Sequence, residues 1–393
     1  MPAEGLDSLL ESGIKGKRVF LRADLNVPLR DGEVVDDTRL RASLTTLKRL
    51  TDAGARVVLA SHLGRPNGKI DPRYSLRPVA KRIRELIDEP VSFVDSCVGE
   101  SAQQAIAAIP EGGVLLLENL RFEPGEESND PSFSQALAKS TDIFINDAFG
   151  TSHRAHASIS GIPKLVEHSF AGMLVQAEIE QLDAVQNPKR PLLCLLGGAK
   201  VSDKLSVLEA LTPHSDVLAV GGAMAYTFLA SKGQSTGRSL VEAERIPDAR
   251  KVIDSAESSG RKLLLPVDHR VVDEIDESAV PEVVDFIPDD KIAVDIGPQT
   301  ARMYAEEASR AATVFWNGPM GIFEIPPFAE GTRTVARGVA ESEARSIVGG
   351  GDSLAAINQL GLADQIGHLS TGGGASLQYV QGLALPGLTA LDR

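Results

Sequence analysis

The sequence predicts an α/β protein with two doubly wound, parallel-sheet (Rossmann-like) domains joined by an interdomain helix and hinge. Short aliphatic runs alternate with longer stretches of helical periodicity along the whole chain, which is typical of successive βαβ units. A length of 393 residues suits two or three domains, and an apolar content of 42% suffices for sizeable cores. Both observations favour a globular protein and argue against a disordered one.

Each predicted strand is a short apolar run. In the first half the predicted strands are 18–22, 56–61, 91–94, 114–117 and 143–146. Helical patterns lie between them at 38–53, 75–88, 99–108 and 130–140. The second half predicts strands at 192–196, 217–220, 262–265, 291–294, 314–316, 346–348 and 368–370. Because the alternation resumes after a break, we expect two sheets rather than one.

That break falls near residue 188. A helical pattern runs from Gly172 and stops at Asn187-Pro188, followed by Pro191, which suits a connector between domains. We expect an N-terminal domain over 1–172, a connector over 173–190, a C-terminal domain over 191–376 and a tail over 377–393.

The charge balance excludes some partners. Forty basic against 54 acidic residues leave a net charge of −14, which disfavours binding of nucleic acid or an anionic membrane through bulk charge.

Neither cysteine has metal-type spacing, so we expect Cys97 and Cys194 to be free buried thiols. No apolar run approaches 18 residues, and residues 1–17 lack a signal-like apolar core. We therefore expect a cytoplasmic protein.

Basic residues concentrate after the strands of the first half. His62 and Arg65, Arg121, and Arg154 each follow a predicted strand, and Arg39 lies at a predicted helix start. Ligands of open α/β sheets bind at the carboxyl ends of strands, and the arginine fork suits phosphate or carboxylate. Each arginine could instead pair with a neighbouring acid on the surface. Their shared position favours a site for an anionic ligand.

The other histidines do not indicate a binding site. His156 and His168 are interpreted as structural, and no His, Cys and Asp group has the spacing of a zinc site.

Glycine-rich loops follow the strands of the second half, at 197–204, 221–224, 318–321, 349–353 and 372–376. Backbone amides at such loops and helix starts form phosphate sites. Lys200 and Lys204 would share a helix face if the helix begins early enough. Asp352 could hold Mg²⁺ or could be a helix N-cap, and its position leaves both roles open. These loops indicate a nucleotide polyphosphate site.

Taken in order, eight segments resemble the phosphoglycerate kinase family over essentially the whole chain. They are RADLNVP (22–28), SHLGRP (61–66), ENLRF (118–122), NDAFG (146–150) with HRAH (153–156), GGAKVSDK (197–204), WNGPMG (316–321), GGGDS (349–353) and STGGGA (370–375). The resemblance implies reversible phosphoryl transfer from 1,3-bisphosphoglycerate to ADP, giving 3-phosphoglycerate and Mg·ATP, in a monomeric enzyme of glycolysis and gluconeogenesis.

The resemblance also implies roles for the residues of the first half. Asp24 and Asn26 would hold the hydroxyl and carboxylate end of the glycerate, and Arg39 would meet the migrating phosphoryl group. The fixed phosphate would be bound by His62, Arg65, Arg121 and Arg154, and Leu63 and Gly64 would also contact the substrate. The tail would pack back onto the N-terminal domain.

In the second half, Lys200 and Gly373 would act on the transferring group, and Asp352 would hold the metal. The implied nucleotide contacts are Gly198, Lys204, Ala223, Asn317, Pro319, Glu324, Gly350, Gly351, Asp352 and Ser353, with Glu324 at the ribose. Ala223 stands where many members of the family have a third glycine, and Ser353 where others have threonine, which questions base affinity rather than activity.

Two other functions are possible. A kinase of another carboxylate would not need the arginines and histidine that suit a substrate carrying its own phosphate. A nucleotide-responsive binding protein without catalysis would not need Arg39 and Lys200 together with ligand loops in both domains.

Overall fold

A computed structural model describes residues 6–392 and divides them into two compact units. The first unit contains residues 6–179 and 384–392, and the second contains residues 180–383. The helix α7 (Met173–Gln186) contains the point of division between Ile179 and Glu180.

The first unit is built on a six-stranded parallel sheet in the order β5-β6-β4-β1-β7-β8. Its strands are β1 Arg18–Ala23, β4 Arg56–Ala60, β5 Val91–Phe93, β6 Val114–Leu116, β7 Ile143–Asp147 and β8 His168–Ala171. A small hairpin pairs β2 Leu29–Arg30 with β3 Glu33–Val34. Its helices are α1 Leu6–Ser12, α2 Thr38–Asp52, α3 Arg77–Leu86, α4 Glu100–Ala107, α5 Pro124–Glu127, α6 Pro131–Ala138 and α15 Pro386–Thr389.

The central strand β1 shows why this sheet is buried on both faces. Val19, Leu21 and Ala23 belong to the core cluster that also includes residues of α2 and α3. Phe20 alternates with these residues and so lies on the opposite face of the strand. It stacks against Phe144 of β7, with ring centroids 6.0 Å apart. Apolar residues on both faces of a strand are typical of a parallel sheet covered by helices.

The second unit has its own six-stranded parallel sheet, in the order β11-β10-β9-β15-β16-β17. Its strands are β9 Leu192–Leu196, β10 Val217–Val220, β11 Lys262–Leu264, β15 Thr313–Asn317, β16 Arg345–Gly349 and β17 His368–Ser370. Its helices are α8 Leu205–Leu211, α9 Met224–Ser231, α10 Ile246–Ser258, α11 Pro298–Arg310, α12 Glu330–Ala340, α13 Gly351–Gln359 and α14 Gly374–Val380. The two parallel sheets confirm the predicted fold class.

One predicted strand belongs to a different sheet. The run predicted at 291–294 forms β14 (Ile292–Ile296), which pairs antiparallel with β12 (His269–Val272) in a three-stranded sheet completed by β13 (Glu282–Val284). The strand itself was therefore predicted, but it belongs to a small antiparallel sheet and not to the parallel one. An apolar run marks a strand but does not specify its partner.

Two further differences concern strand β8 and the start of the tail. Strand β8 was not predicted, because its first residues, His168 and Ser169, are polar and only Phe170 and Ala171 are buried. The tail was predicted from residue 377, whereas the structure assigns residues up to Leu383 to the second unit. Leu385 and Leu391 are buried in the first unit's segment.

Both cysteines are free and buried, as predicted. Among residues 6–392, no helix combines the length and the hydrophobicity needed to cross a bilayer.

Candidate functional site

The residues predicted to bind an anion follow the carboxyl ends of four neighbouring strands of the first sheet. Asp24 and Asn26 follow β1, the loop from His62 to Arg65 follows β4, and Arg121 follows β6. Arg154 follows β7 after a single 3₁₀ turn. Parallel strands end at one edge of their sheet, so this topology brings the separate sequence motifs to one place.

Arg39 is held near this edge by an acid. It lies in the first turn of α2, and its Nη1 donates to Asp24 Oδ2 at 3.0 Å. The Asp24 side chain is 18% exposed and that of Arg39 is 42% exposed, so the arginine keeps part of its fork available. The pair orients Arg39 without enclosing it.

The loop after β4 is fixed by bonds to its backbone. Asn26 Oδ1 accepts from Gly64 N at 2.9 Å, and Arg121 Nη1 donates to Gly64 O at 2.7 Å. Arg121 is buried, and its Nε lies 3.1 Å from Glu127 Oε1 without hydrogen-bond geometry. Asn119, which follows β6, also holds this loop: its Oδ1 accepts from Leu63 N and its Nδ2 donates to Leu63 O. Arg121 therefore has a structural contact as well as a charge.

Arg65 and Arg154 differ from the other arginines. Arg65 is exposed and Arg154 is half-buried, and neither side chain has a hydrogen-bond or ion-pair partner in the described part of the chain. The alternative that each arginine simply pairs with a surface acid does not apply to these two. Unpaired guanidinium groups at one sheet edge suit an anionic ligand.

His62 is buried, and its surroundings favour the neutral imidazole over the imidazolium. Burial lowers the pKa of this histidine well below its usual value, and the charges of Arg22, Arg121, His156 and Arg39 lower it further. A histidine in this form is a hydrogen-bond donor and acceptor rather than a second cation.

Beneath this edge lies a buried polar network that the sequence reasoning missed. Arg22 is fully buried, and its Nε donates to Ser158 Oγ at 3.0 Å. Ser158 Oγ in turn donates to Glu126 Oε1 at 2.6 Å, and Ser158 N donates to Glu126 Oε2 at 3.0 Å. His156 Nδ1 lies 3.9 Å from Glu126 Oε1, and burial together with nearby arginines lowers the pKa of His156 to about 4. An arginine between the apolar residues Leu21 and Ala23 of β1 was the available signal.

The glycine-rich loops of the second unit lock together through their backbones. Gly197 N donates to Asn317 O at 3.0 Å, Met224 N to Gly198 O at 3.0 Å and Gly222 N to Met320 O at 2.9 Å. A Cβ on Gly318, whose φ is +96°, would clash with Gly197 O. Glycine is required here because these loops approach more closely than a side chain allows.

Lys204 lies in the middle of these loops. Its Nζ donates to Oδ1 of Asn317. The Nδ2 atom of the same asparagine is buried and has no hydrogen-bond partner in the described part of the chain. Burial lowers the pKa of Lys204, an effect opposed by Asp352 and Asp203. The condition under which Lys200 and Lys204 would share a helix face is not met, because α8 begins at Leu205 and both lysines precede it.

The loop after β16 presents a helix start. Gly350, with φ of +94°, is the N-cap of α13, and no side chain caps the helix. The N-cap alternative for Asp352 therefore does not apply, because Asp352 lies one residue inside the helix. Its carboxylate is exposed and has no hydrogen-bond or ion-pair partner among residues 6–392. Ser353 is buried, and its Oγ accepts from Gly318 N at 2.6 Å, so its hydroxyl supports the neighbouring loop.

The remaining predicted residues follow the same edge of the second sheet. Lys200 and Glu324 are exposed, Ala223 is half-buried at the N-cap of α9, and Pro319 is buried. Gly373 is the N-cap of α14 with φ of +54°. In the described residues, no group of three or more His, Cys, Asp or Glu side chains is arranged to hold a metal ion. A single carboxylate is nevertheless compatible with Mg²⁺ that is bound mainly through nucleotide phosphates.

Comparisons with known proteins agree across the chain. The family model described as "Phosphoglycerate kinase" matches residues 9–383. A protein of Solibacter usitatus named "Phosphoglycerate kinase" is 51% identical over 392 residues, covering 98% of this chain and 99% of that protein. A Triticum aestivum protein named "Phosphoglycerate kinase, cytosolic" is 48% identical, with 98% of each chain covered.

Solved structures agree with the sequence comparisons. The structure of phosphoglycerate kinase from Coxiella burnetii matches with a TM-score of 0.91 and 39% identity, covering 100% of this chain and 99% of that chain. Phosphoglycerate kinase from Pyrococcus horikoshii OT3 matches with a TM-score of 0.84 and 33% identity, covering 99% and 98%. With the family model spanning nearly the whole chain and relatives at about half identity, this chain belongs to the phosphoglycerate kinase family.

Proposed function

We propose that the protein binds 3-phosphoglycerate at the arginine-rich edge of the first unit and a Mg-nucleotide at the glycine-rich edge of the second. In this proposal it transfers a phosphoryl group reversibly between 1,3-bisphosphoglycerate and ADP. The proposal rests on Arg65 and Arg154, whose side chains have no hydrogen-bond or ion-pair partner among residues 6–392, together with the buried His62 and Arg121. A bare carboxylate would not need so many donors, whereas a substrate with its own phosphate would use them.

On the substrate side, Arg65, Arg121, Arg154 and His62 would hold the fixed phosphate, together with the backbone of Leu63 and Gly64. Asp24 and Asn26 would bind the hydroxyl and carboxylate end. Arg39, which Asp24 orients at 3.0 Å, would meet the oxygens of the migrating phosphoryl group. Arginine suits this role because its fork matches two oxygens at once.

On the nucleotide side, Lys204 and Asn317 would contact the polyphosphate, and Glu324 the ribose. Ala223 and Pro319 would border the base, with Gly198 beside it. The uncapped start of α13 at Gly350, Gly351 and Ser353 would offer its backbone amides to phosphate.

Asp352 fits a magnesium ion, because its exposed carboxylate lies beside that helix start and has no protein partner among the described residues. A bound Mg²⁺ would neutralise charge on the phosphates. Lys200 and Gly373 would then complete the contacts to the transferring group.

The chemistry needs no covalent intermediate, since the carboxylate or the ADP phosphate is itself the nucleophile. Arg39 and Lys200 would stabilise the charge that spreads over the phosphoryl oxygens in an in-line transfer. Direct transfer requires the two bound substrates to meet, so the proposal includes a closure movement as a requirement of the chemistry. Exclusion of water at that moment protects the acyl phosphate from hydrolysis.

We also propose a cytoplasmic location and activity as a monomer. The name of the Triticum aestivum relative supports the location.

A coupled assay tests the function directly. With saturating Mg·ATP, the protein should phosphorylate 3-phosphoglycerate with saturable kinetics. Glycerate, which lacks the fixed phosphate, should be a poor substrate. Equal rates with both would favour a kinase of another carboxylate, and nucleotide binding without turnover would favour the non-catalytic binding protein.

A further inference from the structure

Arg22 lies in β1 with its guanidinium fully buried and all three nitrogens engaged. Its Nε donates to Ser158 Oγ at 3.0 Å, its Nη1 donates to Ala23 O, and its Nη2 lies 3.2 Å from His62 Nδ1. A guanidinium has only N–H donors, so the His62 nitrogen in this contact has to be the acceptor. The single ring proton of a neutral His62 therefore belongs on Nε2.

A second proton has no favourable position on this ring. It would have to enter at Nδ1, where it would face an Arg22 N–H at hydrogen-bond distance. The other charged and titratable groups that act on His62 come from different elements: Arg121 after β6, His156 beyond β7 and Arg39 in α2. The cationic ones disfavour an imidazolium, and the buried location does so as well.

The opposite ring nitrogen has a different environment. His62 Nε2 makes no hydrogen bond within the described residues, and it is not one of the buried atoms left without a partner. It therefore retains some solvent access, at the same strand end as Arg65.

We propose that Arg22 is a positioning residue that holds His62 as its neutral Nε2–H tautomer, so that the ring presents a permanent donor to the substrate phosphate and takes up no proton on binding. The ligand in this statement rests on the function proposed above. The tautomer itself is a property of the unliganded protein.

Glu126 explains how Arg22 can occupy this position. Both oxygens of Glu126 accept from Ser158, whose Oγ also accepts from Arg22 Nε, so the buried cation has a buried carboxylate one residue away. Buried charges are tolerated when they are paired and hydrogen-bonded. The network keeps the arginine fork in one orientation, which is what a fixed tautomer requires.

The first test is nuclear magnetic resonance of the unliganded wild-type protein labelled with ¹⁵N-histidine. Two-bond ¹H–¹⁵N correlations distinguish the two neutral tautomers and the imidazolium. Between pH 6 and 8 we expect His62 to be neutral with its proton on Nε2, and to remain so when 3-phosphoglycerate is added. An Nδ1–H tautomer, or an imidazolium in either state, would overturn the proposal.

The second test is Arg22→Lys. A single ammonium keeps the charge near Glu126 but cannot replace three nitrogens spread over a planar fork. We expect His62 to show mixed tautomers and to titrate, and KM for 3-phosphoglycerate to rise by about tenfold and to depend more steeply on pH, with kcat changed by less than about threefold. Arg18→Lys is the matched control, because Arg18 lies on the same strand and pairs with Asp142 at the strand's other end.

The outcomes separate the two proposals. An Arg22→Lys protein with unchanged tautomer, KM and pH profile would refute the positioning role. If the variant does not fold, the wild-type spectrum still decides the tautomer. If 3-phosphoglycerate fails to saturate the wild-type protein, the proposed function fails, while the spectrum of the unliganded protein still tests the inference about Arg22.

Discussion

The arginines at the substrate edge should divide into two kinds when replaced by alanine. Arg65 is exposed and has no protein partner in the described chain, so its removal breaks no contact in the free protein. Arg121 is buried and donates to Gly64 O at 2.7 Å, so its removal also leaves a backbone carbonyl without that donor. The first change should affect only the ligand, and the second should affect both ligand and fold.

The magnitudes follow from these contacts. A hydrogen bond to a charged group is worth about 1.5–3 kcal/mol. For solvated Arg65 we expect the lower end, a rise of about tenfold in KM for 3-phosphoglycerate, with the free energy of unfolding unchanged within about 0.5 kcal/mol. For buried Arg121 we expect a rise on the order of 100-fold, and a loss of about 1–2 kcal/mol in the free energy of unfolding.

The assay varies 3-phosphoglycerate at saturating Mg·ATP, and urea unfolding supplies the stability. In both variants kcat should fall much less than KM rises, because contacts to the fixed phosphate persist through the reaction. Arg73→Ala is the control, since Arg73 is exposed but pairs with Asp71 at 2.6 Å. Unchanged KM in both variants would place the phosphate elsewhere, and equal stability losses would refute the distinction between them.

Three further predictions follow. Arg39→Ala and Lys200→Ala should each lower kcat by about 100-fold or more, because their charges act on the transition state. Dissociation constants for 3-phosphoglycerate and ATP, measured by calorimetry, should change much less. A near-normal kcat would show that the replaced residue has no catalytic role. Burial raises the pKa of Asp147 from 3.8 to about 6, so the folded state favours the neutral acid and stability is lost as pH rises from about 4 to 6. Urea unfolding of Asp147→Asn should lack this loss, on the order of 3 kcal/mol, and an identical pH slope would contradict the assignment. Truncation before Ala384 removes the bond from Gly387 N to Ser152 O at 2.8 Å, so KM for 3-phosphoglycerate should rise while nucleotide affinity survives; an unaltered KM would show that the tail does not support the Arg154 loop.

The local pattern of apolar residues was sufficient to predict most strands and the loops that follow them. Leu192–Leu196 is buried at every position, and such a run has few alternatives to a central parallel strand. Because carboxyl ends of parallel strands lie at one edge, the prediction of parallel strands already placed Arg65, Arg121 and Arg154 at the same edge of the sheet.

The partner of each strand and the exact ends of the helices could not be predicted from local pattern. The run that became β14 was recognised as a strand, but its antiparallel partner β12 is separated from it in sequence and is chosen by packing. Likewise α8 begins only at Leu205, because the preceding residues form a turn against the other glycine loops. Local periodicity contains no information about such long-range contacts.

Sequence pattern predicted the α/β class, the strand-end motifs and the resemblance that they carry, because these depend on residue types at short spacing. Which charges are paired and which are available depends on how the chain folds. Among residues 6–392 the Arg65 side chain has no hydrogen-bond or ion-pair partner, whereas Arg121 donates to Gly64 O, and Arg22 and Glu126 are buried. The physical reason is that burial and partnership depend on residues distant in sequence: Arg22 meets Ser158 and His62 only because folding brings these segments together.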